Sequence, residues 1–92
     1  MEPDPEALAE EQRRLRRLRM IADLTANVLA QGRLPRAEAE RLVAAARGAA
    51  LALFPDKAET FDLILAPRFA RLMDEFAPAP PLQRILPFRR SR

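Results

Sequence analysis

Two short interruptions divide the first 76 residues into three segments with helical periodicity. In the first interruption, QGRLP, Gly32 is suited to end a helix and Pro35 to begin the next one. In the second, FPD, Pro55 ends a helix and Asp56 has the side chain of an N-cap. No segment shows the alternation of apolar and polar residues that is typical of strands. The sequence therefore predicts an all-α fold.

We predict helices at about 5–31, 35–54 and 57–76. The third contains Pro67, which removes one main-chain hydrogen bond, so we expect a kink there; two shorter helices that meet at this proline are the alternative. Both connections are short, and short connections make consecutive helices antiparallel. The expected architecture is an up-down-up three-helix bundle.

The apolar stripe of each helix predicts the core of this bundle. In the second helix the stripe consists largely of alanine, which either lets another helix approach closely or simply favours helix formation. The predicted core residues are Leu15, Leu18, Ile21, Ala22, Thr25, Val28 and Leu29 in the first helix; Ala39, Leu42, Val43, Ala46, Ala49, Ala50 and Leu53 in the second; and Phe61, Leu65, Phe69, Leu72, Met73 and Phe76 in the third.

The C-terminal segment has a different composition from the rest of the chain. Residues 77–92, APAPPLQRILPFRRSR, contain four prolines, which disfavour a continuous helix and favour polyproline II. The segment nevertheless carries several large apolar side chains among its arginines, so we expect it to dock on a surface. We therefore divide the chain into one helical domain, 1–76, and a proline- and arginine-rich tail, 77–92.

The composition excludes most catalytic chemistry. The chain has no His, Cys, Tyr or Trp and only two Gly, so it lacks the usual general base, a thiol nucleophile and a phosphate-binding glycine loop. Glu59 and Asp62 lie three residues apart, but we interpret them as capping and ion-pairing residues. We expect a protein that is not an enzyme and that has no cofactor and no metal site. The absence of Cys and the acidic N-terminus without an apolar stretch favour a cytoplasmic protein.

The stretch RRLRRLR, residues 13–19, contains five arginines and directly follows five acidic residues in 1–12. In one interpretation these arginines cover a solvated helix face and pair internally. Arg14 would then pair with Glu10, Arg19 with Asp23, and Asp62 would find its partner in Arg14 or Arg17. On the wheel of the first helix, most of the arginines point away from the core.

The function that we favour is an accessory subunit or adaptor that binds a partner protein, with a second copy of the chain as one form of that partner. Contacts would be made by the arginine-rich first helix and by the tail. The candidate partner-binding residues are Arg13, Arg16, Arg17, Arg19, Leu82, Ile85, Leu86, Phe88, Arg89 and Arg90.

Two other partners stay open at this point. The alternative is a nucleic acid, bound by the same arginines without sequence preference; against it, acidic residues adjoin the run and no aromatic residue interleaves with it for base stacking. The third and least favoured partner is an acidic membrane surface, since RRLRRLRMI is basic and amphipathic.

Overall fold

The computed structural model describes residues 4–79, and these form three α-helices. The helices are α1 (Pro5–Ala30), α2 (Arg36–Leu53) and α3 (Ala58–Phe76). Each helix packs against the other two, and this described part contains no strand. The predicted all-α three-helix bundle is therefore confirmed, with every boundary within one residue of its expected place.

The ends of α1 follow from local sequence. Asp4 is the N-cap, and its side chain accepts a hydrogen bond from the main-chain N–H of Glu6 at 3.1 Å. Pro5 then occupies the first turn, where its missing N–H costs nothing. At the other end, Gly32 adopts φ +69°, a left-handed conformation that an L-residue with a β-carbon rarely adopts. The prediction that Gly32 ends the first helix is confirmed.

The predicted cap of the third helix is wrong. The first helical hydrogen bond of α3 runs from the N–H of Phe61 to the carbonyl of Lys57, so Lys57 is the N-cap and no side chain caps this helix. Asp56 lies one residue earlier, in the turn that follows α2. Its carboxylate therefore stands one position too early to act as the N-cap.

The core contains large side chains on α3 and mostly small ones on the other helices. Phe69 and Leu29 are the largest fully buried side chains, and the rings of Phe61 and Phe69 meet at a tilted angle with centroids 6.2 Å apart. The main cluster of buried residues consists of Ala22, Ala26, Leu29, Ala39, Ala50, Phe61, Phe69, Met73 and Ala77.

Three residues differ from the predicted stripes. Leu15 is 44% exposed, because it lies one turn before Leu18, the first residue of α1 that packs against the core cluster. Ala49 is exposed as well, whereas Ala26, outside the predicted stripe, is buried. The rest of the predicted core is buried or half-buried, so the helical pattern identified the side of each helix that faces the core.

α3 continues through Pro67 as one helix, so the alternative of two shorter helices is wrong; the bend itself stays a prediction. Pro67 is exposed, on the side of α3 that faces away from the core. Beside it, Leu63 and Ile64 are the most exposed large apolar residues in the described part, at 69% and 64%.

Hydrogen bonds connect the end of α3 to the start of α2. The guanidinium of Arg36 donates to Asp74 at 3.0 Å, to Glu40 at 3.1 Å and to the main-chain carbonyl of Ala77 at 3.3 Å. Ala77 follows the last helical residue and is only 5% exposed. Ala77 therefore belongs to the cluster of buried residues, although it follows the last residue of α3.

Candidate interaction surface on the first helix

The N-terminal part of α1 extends past the other two helices. At 1.5 Å per residue, the 26 residues of α1 span roughly 39 Å and the 18 of α2 roughly 27 Å. The first buried residue of α1 is Ala22, and Leu18 is the first whose side chain packs against the core cluster. Residues 5–17, which we call the α1 overhang, are exposed except for the half-buried Arg14.

Four arginines predicted to bind a partner lie on α1 with their side chains exposed to solvent. Three of them fall on the side of the helix opposite the buried residues, and the fourth lies at the flank. These residues are Arg13, Arg16, Arg17 and, at the flank, Arg19. The helix thus displays positive charge over the turns at which the overhang joins the bundle.

Glu10 neutralises only part of this charge. Arg13 donates to one carboxylate oxygen of Glu10 at 2.6 Å, and Arg14 donates to the other at 3.2 Å. The hydrogen bond from Arg13 is the main cause that lowers the pKa of Glu10, and the charges of both arginines add to it. The single negative charge of Glu10 is therefore shared by two guanidinium groups, and the arginines of residues 13–19 together with Glu10 keep a net positive charge.

The internally paired interpretation explains few of the arginines. The predicted pair of Arg14 with Glu10 is present. Arg16, Arg17 and Arg19 form no ion pair with any carboxylate of residues 4–79, so the predicted pair of Arg19 with Asp23 is absent.

The predicted partner of Asp62 was wrong. Asp62 pairs with Arg47 of α2, not with Arg14 or Arg17, because α3 turns this carboxylate towards α2. The arginines of α1 are thus left without a carboxylate from α3 in the described structure.

Two large apolar side chains adjoin the arginines. Met20 and Leu24 are 58% and 56% exposed. They continue a stripe of α1 in which Arg13, Arg17, Met20 and Leu24 follow one another at spacings of four, three and four residues. The sequence reasoning did not single them out; their position opposite the buried stripe was the available signal. We call Arg13, Arg16, Arg17, Arg19, Met20 and Leu24 together the arginine surface.

An open cleft of about 410 Å³ lies beside this surface. It is lined by four arginines and Glu10, together with Met20 and with Leu53 at the end of α2. Guanidinium groups donate planar pairs of hydrogen bonds to carboxylates and phosphates, so this cleft suits anionic groups. The four phenylalanines of residues 4–79 are all buried or half-buried, and none is placed for base stacking.

The tail residues predicted to bind a partner lie outside the described residues. These are Leu82, Ile85, Leu86, Phe88, Arg89 and Arg90. The described chain ends at Ala79, directly after α3. The tail therefore leaves the domain at the end of the bundle opposite the α1 overhang.

Within residues 4–79, no three acidic side chains come together in a way that could hold a metal ion. None of the three helices has the length and continuous hydrophobicity needed to cross a bilayer. No family model matches the chain, and comparisons with curated proteins and with solved structures found no match either.

Proposed function

We propose that this chain is a small non-enzymatic helical interaction protein, an accessory subunit or adaptor that binds a partner protein through the arginine surface and the C-terminal tail. One observation carries the proposal. Arg16, Arg17 and Arg19 have no carboxylate partner among residues 4–79, and they adjoin the exposed side chains of Met20 and Leu24.

The composition of this surface supports a protein partner. Arginine and methionine are enriched in protein–protein interfaces relative to the rest of a protein surface, whereas lysine, glutamate and aspartate are depleted there. Met20 and Leu24 would supply apolar contact area, and Arg16 and Arg17 would form ion pairs at its edge. The complementary surface on the partner is therefore acidic with an apolar centre.

The tail would add a second contact some distance away. It begins at the far end of α3, whose 19 residues span roughly 28 Å. The 13 residues of 80–92 reach roughly 43 Å when fully extended. The tail can therefore bind the same partner as the arginine surface, either on a distant site or by running back along the bundle.

The experiment is an affinity capture from lysate of the native host, treated with nuclease. The charge-reversal variant Arg16→Glu/Arg17→Glu/Arg19→Glu should lose the captured protein, because the partner's acidic surface would be repelled. The matched control reverses three exposed arginines that form no ion pair within the described part, Arg41, Arg68 and Arg71. Equal capture by both variants would contradict the role of the arginine surface.

A truncated chain tests the tail. The cut belongs after Ala79, because Ala77 is buried and its carbonyl accepts a hydrogen bond from Arg36. Loss of the partner with unchanged circular dichroism would support a contact through residues 80–92. Capture as efficient as that of the full chain would limit the interaction to the helical domain.

A nucleic acid is the second candidate, and the cleft lined by four arginines is the observation that favours it. Such binding would be electrostatic, so its affinity should fall steeply with salt. Fluorescence anisotropy with a labelled duplex and a labelled single strand measures this directly. Absence of binding at roughly 50 mM salt would exclude this candidate.

A further inference from the structure

The carboxylate of Glu10 is bound by two arginines in the cleft beside the arginine surface. Arg13 donates to its Oε1 from both Nε and Nη2, at 3.1 and 2.6 Å, and Arg14 donates to its Oε2 from Nη1 at 3.2 Å. Each oxygen of the carboxylate is therefore bound by one guanidinium group. Glu10 itself lines this cleft, so its side chain shows how the cleft holds a carboxylate.

The cleft carries more positive charge than Glu10 neutralises. Four arginines line it, and Glu10 is the one acidic residue among the described residues that do so. Arg16 and Arg17 form no ion pair within residues 4–79. They follow Arg13 by three and four residues, a spacing that makes them its neighbours on the helix surface. Like charges at this spacing repel one another, and anionic groups bound beside them would relieve that repulsion.

The side chains next to these charges are apolar. Met20, which is 58% exposed, lines the same cleft, and so does the half-buried Leu53. A ligand that matches both features carries carboxylates with an apolar side chain next to them. An acidic peptide segment has this composition. A nucleic acid also supplies negative charge, but its bases would meet no aromatic side chain among the residues that line the cleft.

We propose that the cleft takes an acidic peptide segment of the partner, and that in the free chain Glu10 occupies the place of one carboxylate of that segment. The segment displaces Glu10 and takes over the hydrogen bonds from Arg13 and Arg14, while its other acidic groups pair with Arg16 and Arg17. The inference rests on the proposed function, because it names the chemistry of the partner and the residue that competes with it.

The displacement of Glu10 costs little free energy. The side chains of Glu10, Arg13 and Arg14 are 38–59% exposed, and ion pairs between exposed side chains are weak. Glu10 therefore competes with the segment without preventing its binding. Removal of the Glu10 carboxylate should accordingly raise the affinity for an acidic segment by a moderate factor.

Fluorescence anisotropy of the full chain with a labelled synthetic peptide, in which glutamates flank a single leucine, tests this competition. Glu10→Gln should bind the peptide roughly threefold to tenfold more tightly than the unaltered chain, because two exposed ion pairs no longer compete with it. Glutamine and glutamate have similar helix propensities, so the helix content should be unchanged.

The matched control is Glu11→Gln. It changes the net charge equally, but Glu11 forms no ion pair within residues 4–79. At physiological ionic strength, charges outside direct contact are screened over about 8 Å. The control should therefore change the affinity for the peptide much less than Glu10→Gln does.

A second set of variants tests whether Glu10 acts through its two arginines. In a chain that carries Arg13→Gln/Arg14→Gln, the further change Glu10→Gln should have no more effect than Glu11→Gln, because the guanidinium groups that it would release are already absent. An effect of Glu10→Gln that persists in this background would overturn the proposal, since a general change of charge would then explain it.

Three further outcomes would overturn the proposal: equal affinities of Glu10→Gln and Glu11→Gln for the peptide, no binding of the peptide by Glu10→Gln, and binding of a labelled single strand but not of the peptide. The proposed function fails separately, when charge reversal of Arg16, Arg17 and Arg19 leaves capture of the partner from lysate unchanged. If that capture is lost while Glu10→Gln behaves like Glu11→Gln, the arginine surface binds a partner and the role of Glu10 is refuted.

Discussion

Arg47 of α2 and Asp62 of α3 form an ion pair through two parallel hydrogen bonds, from Nε to Oδ1 at 2.9 Å and from Nη2 to Oδ2 at 3.0 Å. Nearer the other end of these helices, Arg36 pairs with Asp74. The two arginines are eleven residues apart on α2, and their partners, Asp74 and Asp62, are twelve residues apart on α3 in the opposite chain direction. Both pairs therefore hold α2 and α3 in the same antiparallel register.

The pair of Arg47 with Asp62 predicts a contribution to stability that depends on pH. The hydrogen bond from Arg47, together with its charge, lowers the pKa of Asp62 below its ordinary value of 3.8. A carboxyl group whose pKa is lower in the folded state stabilises the fold above the unfolded pKa, and this contribution is lost as the pH falls through the folded pKa. In the Asp62→Asn variant, the free energy of unfolding should therefore fall less steeply than in the unaltered chain as the pH decreases below about 4.

Urea unfolding at a series of pH values measures this slope. Both side chains are about half exposed, so the effect should be small. Arg47→Gln removes the cause of the shift and should reproduce the behaviour of Asp62→Asn, whereas Arg41→Gln should keep the original slope. An unchanged slope in both Asp62→Asn and Arg47→Gln would show that the pair contributes nothing to folding.

The two glycines predict opposite effects of the same substitution. Gly32 has φ +69°, so Gly32→Ala should destabilise the domain by roughly 1–2 kcal/mol. Gly48 lies inside α2, and a β-carbon added there would meet no atom within 4 Å. Gly48→Ala should therefore stabilise the domain by roughly 0.5–1 kcal/mol, because alanine loses less backbone entropy in a helix. Thermal unfolding of both variants checks the signs; a tolerated Gly32→Ala would contradict the left-handed end of α1.

The close approach of α2 to its neighbours depends on Ala39, which has no exposed surface. Ala39→Leu should destabilise the domain by roughly 1–3 kcal/mol, because the larger side chain has no space in the packed core. Ala45→Leu adds the same atoms on the exposed side of the same helix and should stay within about 0.5 kcal/mol of the unaltered chain. Chemical denaturation distinguishes the two; equal stability of both variants would mean that the alanine contact is loosely packed.

The end of the packed domain can be found by truncation. A chain that ends at Ala79 should unfold at the same denaturant concentration as the full chain. A chain that ends at Phe76 loses the buried methyl group of Ala77 and an acceptor of Arg36, and the methyl group alone should cost about 0.8 kcal/mol. Equal midpoints for the two truncations would place the end of the domain before Ala77.

Local patterns were sufficient to locate the helices and most of the core. Gly32 ends α1 because its left-handed conformation is a property of that residue, whatever surrounds it. Phe61, Phe69 and Met73 are buried because apolar residues at helical spacing form one face of the helix, and this face packs against the core to avoid contact with water. The exposure of Arg13, Arg16 and Arg17 follows from the same periodicity.

Contacts between helices could not be derived in this way. The sequence shows that Asp62 lies near the core side of α3, but its pairing with Arg47 depends on the register and rotation of α2 against α3. Leu15 continues an apolar stripe and yet is exposed, because the lengths of the other two helices determine where coverage of α1 stops. Periodicity describes each helix separately, whereas an ion pair, a groove or an uncovered stripe arises from how neighbouring helices are packed together.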